Sequence, residues 1–183
     1  GYNAAFALVS GILQAQMTGE GSDLDVSLYD TAISMLSYMA SWHLTRGLEI
    51  MREPQSSHPS QVPSGVFPTA DGWIVIMCAK EEFYHRLCDH LARPDLKDDA
   101  RFHRFADRLR NREVLIPLLH EELRKKSTAE WLSLMGNDVP AAPVNNVAQA
   151  LSSPFLEERH LQLQLDHPDF GTIKAVRSAA KST

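Results

Sequence analysis

His58-Pro-Ser-Gln-Val-Pro-Ser-Gly-Val-Phe-Pro-Thr-Ala-Asp-Gly-Trp-Ile-Val-Ile-Met-Cys-Ala79 divides the chain in two. Its first half holds Pro59, Pro63, Gly65 and Pro68, which remove backbone donors, fix φ or permit positive φ, so it reads as an irregular, extended connection. Thr69-Ala-Asp-Gly72 is a turn signature. The apolar run Trp73 to Cys78 that follows has the length and β-branched content of a strand buried on both faces.

Upstream, Phe6, Val9, Leu13 and Met17 recur at helical spacing, with Ala5, Leu8 and Ile12 widening the stripe, so residues 3–17 read as a largely buried helix stopped by Gly19 and Gly21. A second helix opens at the cap Ser27-Leu-Tyr-Asp30, runs through Met35, Leu36 and Met39, and ends at Gly47. Both are more apolar than a peripheral helix needs, which predicts a covering surface from a second subunit or from further chain. Gly1 leads into the first helix without an initiating Met, as in a piece of a longer protein, and Ser178 to Thr183 trails off in small and polar residues.

Downstream, Glu81 to Ala92 reads as a helix with Phe83, Leu87 and Leu91 inward, stopped at Arg93-Pro94, and Asp95 to Asp99 reads as an acidic bend. Arg101 to Lys126 is helical in pattern, with Pro117 expected to kink or divide it. Ser127-Thr-Ala-Glu130 is a capping box that opens a short helix ended by Gly136. Val139-Pro-Ala-Ala-Pro-Val144 is extended, and its prolines confine it to a sheet edge or a lining segment. Asn145 or Asn146 caps a brief helix through Leu151. Leu161 to Leu165 and Thr172 to Val176 alternate as strands around the turn 166–171. The whole predicts a helical arm, an irregular link and a compact mixed α/β unit.

The 183 residues carry 44% hydrophobic and 22% charged side chains, an ordinary globular balance. A formal charge of −5 argues against a general nucleic-acid binder. No apolar run has membrane-span length. Cys78 and Cys88 match no metal-ligand spacing and read as buried thiols of a reducing compartment, hence a cytoplasmic protein.

Candidate sites are few. Arg101, Arg104, Arg108 and Arg112 would form one basic stripe on a continuous helix, either receiving a phosphate or pairing with nearby carboxylates. His85, His90 and His103 lack the spacing of a metal site, and no phosphate loop or nucleophile elbow occurs. Asp23, Asp25 and Asp30 read as capping and solvated groups. His58, beside Ser60, Gln61 and Ser64, stands in a link whose free backbone amides suit a ligand, or in a plain linker.

Several pieces in chain order resemble the class III CoA-transferase family, which includes formyl-CoA transferase, carnitine CoA-transferase and the α-methylacyl-CoA racemases. They are Thr18-Gly-Glu-Gly21 with Asp25 to Asp30, His58-Pro59, Phe67 to Trp73, Arg93-Pro-Asp-Leu96, Asp99-Ala-Arg-Phe102, Asn111-Arg112, Thr128-Ala-Glu-Trp131, Val139 to Asn145 and His167 to Gly171. The resemblance implies an α/β fold, of which this chain is the middle and C-terminal part, in an interlocked homodimer. Residues 1–50 would be a helical arm of the large domain, 51–68 a crossing linker, 69–146 a small α/β domain, and 147–183 a return segment with two short strands. It implies transfer of CoA from an acyl-CoA thioester to a carboxylic acid through an aspartyl intermediate, with coenzyme A as cosubstrate, no covalently bound cofactor and no metal. The nucleophilic aspartate is expected upstream of residue 1, so no catalytic residue falls here. The glycine-rich loop that covers the intermediate in the formyl-CoA enzyme aligns near Ser60 to Gly65, where only Gly65 is glycine. A substrate-facing role is carried to His58, Ser60, Gln61, Ser64 and Gly65. The alternatives are an acyl-CoA racemase of the same superfamily and a non-catalytic dimerisation module or degenerate paralogue.

Overall fold

The computed structural model describes residues 1–180. The last three residues of the tail expected to trail off, 181–183, lie outside the described part. The chain separates into two compact units, Gly1–Arg52 and one beginning at Glu53.

The first unit is helical. Helix α1, Tyr2–Thr18, ends as its sequence predicts: Gly19 adopts φ 78° and donates its N–H to the Ala15 carbonyl. Helix α2, Leu28–Ser34, is capped by the Ser27 hydroxyl, which accepts from the Asp30 N–H at 2.9 Å. The single helix expected from Ser27 to Gly47 is divided. Met35 and Leu36 form a turn, Ser37 takes φ 51°, and α3 runs Ser37–Arg46 to a left-handed Gly47. A residue in that region cannot continue a right-handed helix, and no Gly or Pro marks the place. None of the three helices has a buried residue; Phe6 and Met17 are 77% and 78% exposed, so the described residues do not supply the covering surface expected for these helices.

The second unit is built on a three-stranded antiparallel sheet in the order β1 (Ser64–Pro68), β2 (Trp73–Met77), β3 (Ala141–Pro143). Strand β1 corrects the irregular link expected there. It pairs with β2 from Ser64↔Met77 to Pro68↔Trp73. An edge strand has one neighbour only, so prolines can turn their missing donors away from the ladder. The same logic holds at β3, the other edge, as its prolines predict. Strand β2 buries Ile74 and Ile76 while Trp73 and Met77 stay exposed, so it is covered on one face here rather than both.

The covered face packs on α4 (Glu81–His90), α7 (Arg112–Leu123) and α8 (Thr128–Met135) in one apolar cluster that includes Phe67, Ile74, Tyr84, Leu87, Leu119 and Trp131. Helix α4 turns Tyr84, Leu87 and Cys88 inward and leaves Phe83 half-buried, a small rotation from the face expected. The acidic bend is a helical turn, α5 (Pro94–Asp98), with proline at its first position. Helix α8 has the capping box its sequence announces.

The long helix expected from Arg101 breaks at Asn111, giving α6 (Phe105–Arg110) before α7, while Pro117 lies inside an undivided α7. The Asn111 amide donates to the Asp107 carbonyl at 2.9 Å and the Arg101 carbonyl at 3.0 Å. Asparagine thus competes for the backbone and ends α6. The basic stripe does not form, because Arg101 and Arg104 precede α6.

Beyond the sheet, Asn146 caps α9 (Val147–Leu151) in a reciprocal box with Gln149, a turn α10 (Pro154–Glu158) follows, and β4 (Gln162–His167) pairs with β5 (Gly171–Val176) as the alternation predicts. No helix among the described residues is long and apolar enough to cross a membrane.

Candidate functional site

The segment from Glu53 to Gly65 is held in place by two arginines, one below each of its ends. A 3-10 turn, Pro54–Ser56, opens it, and β1 closes it. Between them His58 makes a compact turn. Its N–H donates to the Ser64 carbonyl at 2.8 Å, and its ring Nδ1 accepts from the backbone N–H groups of Ser60 and Gln61, both at 3.1 Å. The amides expected to be free for a ligand are therefore used by the His58 ring, because a histidine acceptor two and three residues back satisfies them as an Asx side chain would. Nδ1 as acceptor requires the neutral ring. Partial burial and the nearby Arg112 charge both lower the His58 pKa below its ordinary 6.5.

Arg112, from the first turn of α7, grips this turn from underneath. It pairs with Glu53 at 2.8 Å and donates to the His58 carbonyl at 3.1 Å. Arg108, from α6, holds the next residues. Its side chain is fully buried between the rings of Tyr84 and Phe105, at 4.4 and 4.7 Å from their centroids. It donates to the Val62 carbonyl at 2.7 Å, to the Phe102 carbonyl at 2.9 Å and to Glu81 at 2.6 Å. The other Glu81 oxygen accepts the Phe105 N–H and so caps α6.

The five residues read as substrate-facing are thus brought onto one short segment with different access. Ser60 is exposed, His58 and Gln61 are half-buried, and Ser64 and Gly65 are enclosed in β1. A cleft of about 290 Å3 opens between the 3-10 turn and α7, lined by Glu53, Gln55, Ser57, Arg112, Ile116 and His120. The His120 ring meets Phe67 edge-on at 5.6 Å, and burial together with Arg124 lowers its pKa, which favours a neutral imidazole. Among the described residues no group of three or more His, Cys, Asp or Glu side chains could hold a metal ion.

The sequence places Arg108 and Arg112 on a stripe that either receives a phosphate or pairs with nearby carboxylates, and does not show their part in fixing the segment. Nothing in the local sequence separates Arg108 from Arg104 or Arg110; only its partners, far along the chain, do so.

A family model for CoA-transferase family III matches residues 1–183. The chain is similar to the human succinyl-CoA:glutarate CoA-transferase, with 30% identity over 182 residues that make up 99% of this chain and 41% of the relative. It is similar to the acetyl-CoA:oxalate CoA-transferase of Acetobacter aceti, with 29% identity over 159 residues, 86% of this chain and 40% of the relative. The crystal structure of Rv3272 from M. tuberculosis matches with a TM-score of 0.82 at 27% identity, covering 100% of this chain and 47% of that one. The chain spans less than half the length of these relatives.

Proposed function

The chain belongs to CoA-transferase family III, and from that premise we propose that it is part of an enzyme that moves CoA between an acyl-CoA thioester and a carboxylic acid. The observation that carries the reading is the family match along all 183 residues. The names of the human and Acetobacter relatives, a succinyl-CoA:glutarate and an acetyl-CoA:oxalate CoA-transferase, support it.

The chemistry runs through an aspartate supplied upstream of residue 1. Its carboxylate, already ionised at neutral pH, attacks the thioester carbonyl and expels CoA thiolate, leaving a mixed anhydride. The thiolate attacks the aspartyl carbonyl of that anhydride and releases the donor acid, which leaves an aspartyl-CoA thioester. The acceptor carboxylate then runs the same two steps in reverse, and the aspartate is regenerated. Coenzyme A is a cosubstrate throughout and no group is bound permanently.

Within that enzyme, residues 1–50 act as an arm of the large domain, 51–68 as the crossing link, 69–146 as the small domain and 147–183 as the return segment. The exposed apolar side chains of α1 to α3 support an interlocked homodimer, since such surfaces are costly to leave in water. The segment carrying His58, Ser60, Gln61, Ser64 and Gly65 faces the substrate. Two buried free thiols suit the cytoplasm.

The test uses the whole native protein. Incubated with a panel of acyl-CoA thioesters and labelled carboxylic acids, it exchanges CoA between them and forms an enzyme adduct sensitive to hydroxylamine. The absence of both exchange and adduct across the panel overturns the reading. Exchange of the substrate α-proton with solvent, in place of acyl exchange, identifies a racemase instead.

A further inference from the structure

We infer that His58 is a positioning residue: its ring shapes the link by holding the Ser60 and Gln61 amides. The inference deepens the proposed function, since it rests on the reading that this segment faces the substrate.

Three observations converge on Nδ1. The ring nitrogen accepts two backbone N–H groups at 3.1 Å, and the Ser60 hydroxyl lies 3.3 Å away. A nitrogen so engaged has no lone pair left to take a proton from a substrate. The peptide on the other side of the residue is fixed as well, with the His58 carbonyl held by Arg112 and Arg112 held by Glu53. The His58 N–H, tied to Ser64, closes the turn onto β1. Ring, carbonyl and N–H each have a partner in the link or in α7, so rotating the ring toward a reacting group would release both the Ser60 and the Gln61 amides at once. The contacts therefore run from Arg112 on helix α7, itself held by Glu53, through His58 to Ser60 and Gln61, and the rigid helix sets where the Ser60 and Gln61 side chains are presented.

This role makes a chemical distinction between two substitutions. In His58→Asn the amide oxygen stands near the place of Nδ1 and accepts the same N–H groups. In His58→Gln the oxygen is carried one carbon further, near the place of Nε2, where it cannot reach them. Neither variant has a group that titrates near neutrality. The prolines flanking the turn help the measurement: a peptide covering 59–63 has exchangeable backbone amides at Ser60, Gln61 and Val62 alone.

Both variants are made in the whole native protein and compared with it by hydrogen–deuterium exchange, by thermal melting and by steady-state CoA transfer. The expected result is that His58→Asn keeps the slow exchange of the 59–63 peptide and most of kcat/KM. His58→Gln is expected to speed that exchange and lower kcat/KM by about tenfold or more, mainly in KM, with little change in melting temperature. Equal loss of kcat in both variants, with exchange preserved in Asn, overturns the inference by showing that the ring itself acts on the substrate. Unchanged exchange in His58→Gln overturns it by showing that Nδ1 does not hold the amides. Faster exchange in Gln without any change in kinetics overturns the positioning role and, with it, the substrate-facing reading of the segment, while the transferase assignment survives. Arg112→Gln is a further arm: it leaves the ring intact, and exchange of the same peptide must rise if the carbonyl contact fixes the turn.

Discussion

Arg108 Nη2 lies 2.6 Å from Glu81 Oε2, with the arginine side chain wholly buried and the glutamate still partly open to water. The guanidinium is satisfied on every side, by a carboxylate, by the carbonyls of Val62 and Phe102, and by two aromatic faces. Such a group joins three separate stretches of chain, α4, α6 and the end of the link.

Removing it leaves acceptors that water cannot reach. Arg108→Met is expected to destabilise the protein by about 3–5 kcal/mol, because the partners lose their donor and keep their desolvation. Urea denaturation checks this. Glu81→Gln keeps one of the two accepting oxygens and the carbonyl contacts of Arg108 but removes its counter-charge, and is expected to cost about 1–3 kcal/mol. Equal effects of the two would mean that the carboxylate, not the buried network, holds the joint.

Acid should loosen the joint between the β1–β2 turn and α8. Asp71 accepts from the Thr128 N–H at 2.8 Å, from the Thr128 hydroxyl at 3.1 Å and from Thr69, and these bonds lower its pKa below 3.8. A carboxyl lowered by folding adds stability above its unfolded value, and that stability is lost as pH falls through the lowered value. Asp71→Asn should therefore reduce stability at neutral pH and flatten the acid limb of a plot of melting temperature against pH. An acid limb unchanged by the substitution would remove Asp71 from the account.

Gly65 is where the 3-10 turn comes closest to β1. A Cβ there would stand 3.0 Å from the Ser57 Cα and 3.0 Å from its Oγ. Gly65→Ala should cost about 1–3 kcal/mol, since backbone has to move to admit the methyl. Gly72→Ala, whose Cβ would meet only the Thr128 hydroxyl at 3.7 Å, serves as the control. Thermal melts of the two should differ clearly.

The thiols should be silent in the folded protein. Burial pushes Cys78 up to about 12 and Cys88 up to about 11, so almost no thiolate exists near neutrality. Ellman's reagent at mildly alkaline pH should react with neither until denaturant is added, and with both afterwards. Rapid reaction of one thiol in the native protein would contradict the packing described.

Much of the secondary structure is legible because its causes are local. The Ser27 and Ser127 caps, the left-handed Gly19 and Gly47, the Asn146 box and the alternation of β4 and β5 each depend on residues within a few positions of one another. A side-chain oxygen three residues before an orphan N–H meets it whatever the rest of the chain does. The family pieces scattered from Thr18 to Gly171 were readable in the same way, as short strings in order.

The site was not legible, because its causes are distant. Val62 meets Arg108 across 46 positions, and His58 meets Arg112 across 54. One arginine of four on a charged stretch becomes a core residue, and the amides of a proline-rich link are taken by a ring that composition marks only as polar. Whether β1 forms at all depends on β2 lying beside it. Local sequence determined where helices start and stop; only the assembled unit decided which polar groups found partners, since burial brings together groups that the chain keeps far apart.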